Sequence, residues 1–345
     1  MLAALMIFWL GIEIPKERVE GPVGQRVHEF ILSQTWFSGS VLLAVNDRIV
    51  LHRAYGDADP GQKIPNHTDT RFGIASISKQ FAASAILLLA DQNKLSLQDR
   101  LPKFFENVPQ DKQAISIHHL LTHTAGFPNN YAADGIRKSK SAIRAILDQA
   151  LENPVGTKFR YTGDGFVLAA LIVEKVSGQP YDLFLTEHIF HPAGMYRTLN
   201  WASKAFSDPL EVAQPTAWPE VQYMRPNYGF RGCTGLFSTT GDLYRWWHAL
   251  TTGLVLSSES REKMLSPQTA FSRGQVGYGW FFENSEGGRP TLWTRGTESM
   301  GFSASIIHFP KEKVQIVIAC NVPEAEDRPS GARHLDQLLE PVIFQ

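Results

Sequence analysis

A serine and a lysine three positions apart, in Ser76-Ile77-Ser78-Lys79, are the residues of this chain best suited to nucleophilic catalysis. They precede the apolar run from Phe81 to Leu95, which indicates a helix, and a spacing of three places both side chains on one helical face. A serine hydroxyl attacks a carbonyl only when a base takes its proton, and a lysine can be that base when burial lowers its pKa. The sequence therefore predicts a nucleophile, Ser76, beside a base, Lys79. The alternative is that Ser76 caps the helix and Lys79 is a solvated cation.

A tyrosine in the loop from Gly156 to Gly165 is a second group that can move protons. A phenol beside a lysine ammonium can relay a proton to a leaving group, so Tyr161 is the candidate general acid and base. Taken by itself, Tyr161 is also compatible with a half-buried aromatic residue whose hydroxyl is hydrogen-bonded.

A cation and several small residues follow late in the chain, between Trp293 and Phe302. Arg295 in this segment can grip a substrate carboxylate, while a backbone N–H near Thr297 completes an oxyanion hole with the N–H of Ser76. An arginine that simply lies on the surface is the alternative.

In order and spacing, these segments resemble the serine β-lactamase-like superfamily. Within it they are similar to the class C branch, which contains class C β-lactamases, D-alanyl-D-alanine carboxypeptidases, D-aminopeptidases and family VIII-type esterases. The resemblance runs from about Gln25 to about Gln337 and rests on Ser76-x-x-Lys79, His119 to Phe127, Tyr161-Thr162-Gly163, Gly232 to Leu243 and Gly301-Phe302. It implies an α/β fold, with an antiparallel sheet flanked by helices and an inserted all-α subdomain. It also implies that Ser76 is acylated, that Lys79 is its base, that Tyr161 protonates the leaving group and that no metal or cofactor takes part.

Two positions depart from the pattern of that superfamily. Gly163 stands where an asparagine is usual, so a side-chain amide that contacts the substrate is lost. The third motif, usually Lys-Thr-Gly or His-x-Gly, aligns in two ways. One alignment puts Arg295 at the cation position and Thr297 at the final glycine, and the other puts Thr294 and Gly296 there. The first keeps a positive charge, and the expected substrate-binding residues are then Arg295, Gly296, Thr297 and Gly163.

These features favour a serine hydrolase that acts through an acyl-enzyme on an ester, amide or peptide. An esterase or D-amino-acid peptidase is favoured over an efficient β-lactamase. The first alternative is a class C-type β-lactamase, and the second is a penicillin-binding-like scaffold protein without turnover. We expect the pocket walls to come from residues 129–140 and 202–230. The aromatic residues Trp218, Tyr223 and Tyr228 of the second segment either shape an acyl pocket or pack the helical insertion.

Two predicted β-hairpins near opposite ends of the chain must share one sheet that positions these groups. The first joins residues 39–45 to 49–55, and the second joins 301–309 to 314–320. Between and around them, apolar spacing predicts helices over 25–34, 76–93, 141–152, 166–177, 242–251 and 334–344. We expect a single catalytic domain over residues 16–345, with an α/β part at about 20–75 and 255–345 and a helical insertion at about 80–255.

Charge and composition narrow the class of partner. Lys and Arg number 33 against 34 Asp and Glu, which leaves a net charge of −1 and no basic surface for nucleic acid. His118, His119 and His123 lack the glutamate of a His-Glu-x-x-His zinc site, and Cys233 and Cys320 form no Cys-x-x-Cys pair, so no metal is expected. We expect a small-molecule or peptide substrate, and the sequence does not specify an oligomeric state.

The first 15 residues are apolar as far as Leu10, which is too short for a membrane span and suits a leader or an anchor-like segment. An ordinary terminal segment is the alternative. This segment favours an exported or membrane-associated protein, with weak membrane association through the N-terminus.

Overall fold

The computed structural model describes residues 12–200, 212–215, 227–297, 301–325 and 330–345. Trp218 and Tyr223, predicted near the pocket, lie outside the described residues, as do the first eleven residues of the apolar N-terminal segment. Tyr228 is described, and its ring packs 4.7 Å from the guanidinium carbon of Arg231.

The strands belong to one large sheet and two small ladders. The sheet contains β1 (Arg18–Val19), β2 (Gly39–Val45), β3 (Arg48–Tyr55), β9 (Thr269–Phe271), β10 (Gly274–Val276), β11 (Phe281–Asn284), β12 (Pro290–Thr297), β13 (Ser303–Phe309) and β14 (Val314–Cys320). The ladders contain β4 (Asp57–Asp59) with β5 (Ile64–Pro65), and β6 (Phe72–Gly73) and β7 (Leu199–Asn200) on either side of β8 (Leu236–Ser238). In the described part of the chain the large sheet has the order β1-β3-β2-β14-β13-β12-β11-β10-β9, and every neighbouring pair is antiparallel.

The two predicted hairpins are confirmed, and they lie side by side. Strands β2 and β3 are joined by Asn46 and Asp47, whose φ angles of 52° and 60° suit a two-residue turn of the primed type. Strand β2 pairs with β14 from Val45 opposite Val314 to Gly39 opposite Cys320. Segments from the two ends of the chain therefore form the centre of one sheet.

The predicted helices are all present, with ends that differ by a few residues. The helices are α1 (Gly21–Ser33), α2 (Ser78–Asp91), α3 (Ile117–Leu121), α4 (Ser139–Leu147), α5 (Asp164–Ser177), α6 (Tyr181–Leu185), α7 (His191–Ala193), α8 (Thr240–Thr252), α9 (Ser258–Met264) and α10 (Gly331–Ile343). Within the described ranges, none of them is long and apolar enough to cross a lipid bilayer.

Both faces of the central sheet are buried. Successive residues of a strand point to opposite faces, so each strand contributes side chains to two apolar clusters. Val41 and Leu43 pack in one apolar cluster with Leu335 of α10, whereas Leu42 and Ala44 pack in the other with α2 and α5. The same alternation continues in β13. Ile306 belongs to the cluster with α2 and α5, which is called the helical side of the sheet below, and Ile307 belongs to the cluster with α10. It decides which side chains of the neighbouring strand β12 can reach Ser76.

Candidate active site

Ser76 lies in a 3-10 turn, Ala75–Ile77, directly ahead of α2. That helix is apolar around its circumference and buried along most of its length, so its first turn is fixed by packing. Ala75 has a φ of 45°, a conformation that residues other than glycine seldom adopt. Such strain persists only where the surroundings hold it, and it is concentrated at functional sites.

The structure brings the three predicted catalytic residues together. Lys79 Nζ lies 3.0 Å from Ser76 Oγ, and the Tyr161 hydroxyl lies 2.6 Å from the same oxygen. Lys79 also donates to the backbone carbonyl of Cys233 at 2.9 Å, and its Nζ lies 4.9 Å from the centre of the Tyr161 ring. Ser76 Oγ is therefore in hydrogen-bond contact with both groups that can exchange its proton.

Lys79 is almost fully buried, with 3% of its surface exposed. Burial acts to lower its pKa, but the interactions with Tyr161, Cys233 and Tyr131 act in the opposite direction, and the net pKa is raised. Burial therefore acts in the direction that the sequence predicted, but the neighbouring groups outweigh it. The raised pKa favours the ammonium form of Lys79.

His123 packs against Tyr161, the predicted general acid and base. Its ring stacks on Tyr161 at 4.5 Å and 28°, its Nδ1 accepts from the N–H of Thr162 at 3.2 Å, and its carbonyl accepts from the N–H of Arg160 at 2.8 Å. Burial, together with the charge of Lys79, lowers the pKa of His123 to about 3. A neutral imidazole thus orders the loop that presents Tyr161. Sequence reasoning missed this role, although the segment from His119 to Phe127 carried part of the resemblance.

Arg295 lines the same cavity as Ser76, but its guanidinium is bound to a buried carboxylate, so the predicted role of its side chain in gripping a substrate carboxylate needs correction. Its guanidinium donates to both carboxylate oxygens of Asp336 in α10, from Nε at 2.8 Å and from Nη2 at 2.9 Å. The side chain of Arg295 is 13% exposed and that of Asp336 1%. Arg295 lies opposite Ser305, on the face of the sheet that α10 covers, so its charge is already neutralised there.

The alternative alignment of the third motif fits the strand. Thr294 and Gly296 pair with Ile306 and Ala304, which belong to the helical side of the sheet. A Cβ at Gly296 would lie 2.3 Å from the carbonyl oxygen of Ile74 and 2.7 Å from the backbone nitrogen of Ser76. Only glycine fits so close to another backbone. Thr294 therefore occupies the cation position and Gly296 the final glycine.

Thr297, which the first alignment placed at the final glycine, points to the opposite face. Its side chain hydrogen-bonds to Glu324, and this bond lowers the pKa of that carboxyl, although burial raises it more and the net pKa is raised. The backbone of Thr297 nevertheless follows directly after Gly296, which contacts Ser76.

Gly163 lies near the site but does not line its cavity. It precedes α5, and a Cβ there would lie 2.7 Å from Cε1 of Tyr131 and 3.3 Å from the sulfur of Cys233. Tyr131 belongs to the segment 129–140, which the sequence predicted beside the pocket. Its ring fills the space that a side chain at position 163 would need.

A cavity of about 340 Å³ opens beside the nucleophile. Its lining includes Ser76, Lys79, His123, Tyr161, Thr294, Gly279, Ser272, Arg273, Trp293, Arg295 and three phenylalanines, Phe159, Phe271 and Phe281. The phenylalanine rings form a continuous wall, with centres 5.4 Å apart for Phe159 and Phe271 and 5.5 Å apart for Phe271 and Phe281. Sequence reasoning missed this wall because its members come from segments more than a hundred residues apart.

The polar groups around the cavity are unevenly distributed. Arg273 reaches it from the turn between β9 and β10, with its side chain 55% exposed and its Nε 3.6 Å from a carboxylate oxygen of Glu283. Thr294, at the position where related motifs carry a cation, is neutral and 2% exposed. Besides Lys79, the charged side chains of the lining are thus Arg295, which is paired with Asp336, and Arg273, which is largely exposed.

The three histidines that were weighed as metal ligands each hydrogen-bond to a different group of the protein. His118 Nδ1 contacts the hydroxyl of Tyr278 at 2.8 Å, and His119 Nδ1 accepts from the N–H of Ser116 at 3.1 Å. No group of three or more metal-binding side chains occurs within the ranges that the structure covers. Cys233 and Cys320 are buried thiols that are not joined to each other.

Known proteins resemble this chain in sequence and in fold. The chain is similar to penicillin-binding protein 4* of Bacillus subtilis, with 28% identity over 87% of this chain and 71% of that protein. It is also similar to Protein flp of Staphylococcus aureus, with 27% identity over 86% of this chain and 62% of that protein, so it spans about two thirds of the length of these relatives. The crystal structure of a penicillin-binding protein from Bacillus halodurans superposes with a TM-score of 0.76, at 25% identity over 92% of this chain and 99% of that one.

The family described as Beta-lactamase matches residues 25–340, which include Ser76, Lys79, Tyr161 and Gly296. This match supports a serine hydrolase that acts on β-lactam or peptide-like substrates. The antiparallel sheet flanked by helices is the fold that the resemblance implied. The chain therefore belongs to the β-lactamase family.

Proposed function

We propose that this protein is a serine hydrolase that forms an acyl-enzyme at Ser76 and prefers esters with an apolar, uncharged leaving group. The observation that carries the proposal is the contact of Ser76 Oγ with both Lys79 Nζ, at 3.0 Å, and the Tyr161 hydroxyl, at 2.6 Å. Nucleophile, cation and proton carrier within hydrogen-bond distance are the groups that acyl transfer needs.

The proton follows a path through Tyr161. Because the pKa of Lys79 is raised, we keep Lys79 as the cation and assign the proton acceptor to the phenolate form of Tyr161, whose oxygen lies 2.6 Å from Ser76 Oγ. Tyr161 oxygen then accepts the proton of Ser76 as Oγ bonds to the substrate carbonyl carbon, and the carbonyl electron pair moves to oxygen. The oxyanion is stabilised by the backbone N–H groups of Ser76 and Thr297. When the bond to the leaving group breaks, Tyr161 returns the proton to it, and a water repeats the cycle to release the acid.

The cavity supports an apolar leaving group. Tyr161 must lie beside the leaving group to protonate it, and the cavity next to Tyr161 is walled by Phe159, Phe271 and Phe281. An anionic leaving group needs a cation inside, but Thr294 is neutral there and Arg295 is bound to Asp336. These features disfavour efficient hydrolysis of β-lactams and of peptides that end in a carboxylate.

The test compares three substrate classes on one enzyme. We expect 4-nitrophenyl acetate to be hydrolysed with a larger kcat/KM than a D-alanyl-D-alanine peptide or a cephalosporin, and intact mass to reveal an acetyl adduct that peptide mapping locates at Ser76. Ser76→Ala should abolish both. Ser78→Ala is the matched control, because this neighbouring serine is fully buried and its hydroxyl has no hydrogen-bond partner among the described residues.

The outcomes separate the candidate functions. Faster hydrolysis of the peptide would make the protein a carboxypeptidase, and rapid turnover of the cephalosporin would make it a β-lactamase. A stable penicilloyl adduct without turnover of any substrate would indicate a penicillin-binding scaffold. Ester turnover that survives Ser76→Ala would refute the proposed nucleophile.

A further inference from the structure

We propose that Tyr131 takes the place of a side chain at position 163, and that its ring limits the size of the acyl group transferred to Ser76. This inference rests on the proposed acyl-enzyme at Ser76 and names the residue that selects the acyl part of the substrate. The substrates it predicts are esters of small acyl groups without a side-chain amide.

Space, and not backbone conformation, excludes a side chain at position 163. Gly163 has φ −75° and ψ −36°, which is the right-handed helical region open to every residue. A Cβ there would lie 2.7 Å from Cε1 and 3.0 Å from Cδ1 of Tyr131. Glycine at this position is therefore explained by the aromatic ring that lies against it.

The same glycine supplies no side-chain cap to the helix that follows it. The carbonyl of Gly163 accepts from the N–H groups of Phe166, at 2.9 Å, and Val167, at 3.1 Å, so Gly163 is the N-cap of α5. Gly163 has no side chain with which to cap the helix, as serine, threonine, aspartate and asparagine normally do, and the Thr162 hydroxyl accepts from the N–H of Asp164 at 3.2 Å instead. The chain thus lacks a common stabilising contact at the position where the ring of Tyr131 packs.

Tyr131 is held in its position by the start of α5. Its φ of 52° is uncommon for an aromatic residue and persists only if neighbouring contacts fix it. The next residue, Ala132, donates its N–H to the Asp164 carboxylate at 3.2 Å, and Gln149 donates to the same oxygen at 2.8 Å. Asp164 follows Gly163 directly, so the ring and the glycine are fixed relative to each other.

Tyr131 is connected to the predicted catalytic lysine through Gly163 and Cys233. The carbonyl of Cys233 accepts from Lys79 Nζ at 2.9 Å, and the sulfur of Cys233 would lie 3.3 Å from a Cβ at position 163. Among the described residues, the cavity is lined by Tyr161 and the phenylalanine wall and not by Tyr131 or Gly163. In the proposed function the leaving group occupies that cavity. We place the acyl group on the other side of Ser76, towards the ring of Tyr131, which is 38% exposed and interacts electrostatically with Lys79.

Acyl selectivity is the first readout. With 4-nitrophenol as the common leaving group, Tyr131→Ala should raise kcat/KM for the octanoate relative to the acetate by about tenfold or more, because a wall is removed. Tyr131→Phe keeps the ring and should keep the wild-type ratio. Tyr196→Ala is the matched control, since Tyr196 is 67% exposed and lies outside the site. A ratio that Tyr131→Ala leaves within about twofold of wild type would overturn the proposed role of the ring.

Thermal stability is the second readout, and it does not depend on hydrolysis. Gly163→Ala should lower the Tm of the wild type, because its Cβ meets the ring. In the Tyr131→Ala background the same change should lower the Tm by less, because the ring contact is gone and only the sulfur of Cys233, 3.3 Å from that Cβ, still lies close. An equal loss of Tm in both backgrounds would refute the pair.

The two readouts also separate failure of this inference from failure of the proposed function. Absence of an acyl adduct on Ser76 with every ester would refute the proposed function and the acyl-size role together, while the Tm comparison would still decide whether Tyr131 and Gly163 are a packing pair. An adduct on Ser76 with an unchanged acyl ratio would refute the role of Tyr131 alone.

Discussion

The neutral imidazole of His123 predicts a specific loss of stability in acid. His123 is 2% exposed and its pKa is about 3 in the folded protein, against 6.5 for an unperturbed histidine. Above pH 6.5 both states hold a neutral ring. As the pH falls from 6.5 towards 3, the unfolded chain binds a proton that the folded chain does not. Each pH unit in this window then removes about 1.4 kcal/mol of unfolding free energy, or about 5 kcal/mol in total.

Urea unfolding at a series of pH values, followed by tryptophan fluorescence, measures this loss. His123→Asn is the variant of choice, because asparagine tolerates the φ of 58° at this position and its side-chain oxygen can accept from Thr162. We expect the variant to be less stable than wild type at pH 7.5 and the gap to narrow by about 1.4 kcal/mol per pH unit below pH 6. The other buried histidines are the same in both proteins, so their contributions cancel. Parallel stability profiles would contradict a neutral, buried His123.

Three further predictions test the charges around Ser76. Arg295→Ala should lower the unfolding free energy by about 3–5 kcal/mol, because Asp336 is left buried without its partner. The KM for anionic and neutral esters should stay unchanged, and a rise in KM confined to anionic esters would restore the substrate-binding role of Arg295. Thr294→Lys should increase kcat/KM for an ester with a carboxylated phenol leaving group relative to its neutral counterpart, and an unchanged ratio would show that position 294 does not face the leaving group. Wild-type kcat/KM should still be rising with pH at pH 9, because the pKa of Lys79 is raised above its ordinary value near 10.5. Lys79→Arg should keep measurable activity, because the cation alone is needed; inactivity of a folded Lys79→Arg would return the role of base to Lys79.

The local parts of the site could be predicted from the sequence because the helical period fixes them. Ser76 and Lys79 are three residues apart at the start of an apolar helix, and this spacing suffices to bring them together. The two hairpins were also clear, since each joins β-branched runs through a short turn. Their pairing was predicted because a single sheet is the simplest arrangement for two hairpins from opposite ends of the chain, and the pairing of β2 with β14 confirms it.

The sequence could not show which residues of strand β12 lie on the same face of the sheet as Ser76. In a sheet exposed on one side, polar and apolar residues alternate, but this sheet is buried on both sides and the alternation is hidden. Arg295 and Thr294 are both buried or nearly so, one bound to Asp336 and the other facing Ser76. Only the register with β13 shows which of them belongs to the site.

The net charge state of Lys79 and the packing of Tyr131 depend on contacts between distant segments. Burial alone predicts a lowered lysine pKa, and the opposite result comes from Tyr161, Cys233 and Tyr131. Likewise, the sequence shows that Gly163 lacks the asparagine side chain that is usual at this position of the superfamily pattern. The ring that fills its space comes from a loop whose position no local pattern specifies.

The pairing of β2 with β14 has a consequence for how the protein comes to be active. Ser76 is synthesised long before Gly296, yet the turn that carries Ser76 is completed by the close approach of Gly296 from the other end of the chain. The contacts that define the site therefore have a high contact order, which is associated with slow folding because long loops must close first. A nascent chain halted before Pro290 has the nucleophile, the lysine and the tyrosine, but not the strand that completes the turn. We expect activity to appear only after β12 to β14 have left the ribosome and joined β2, as a late, all-or-none event.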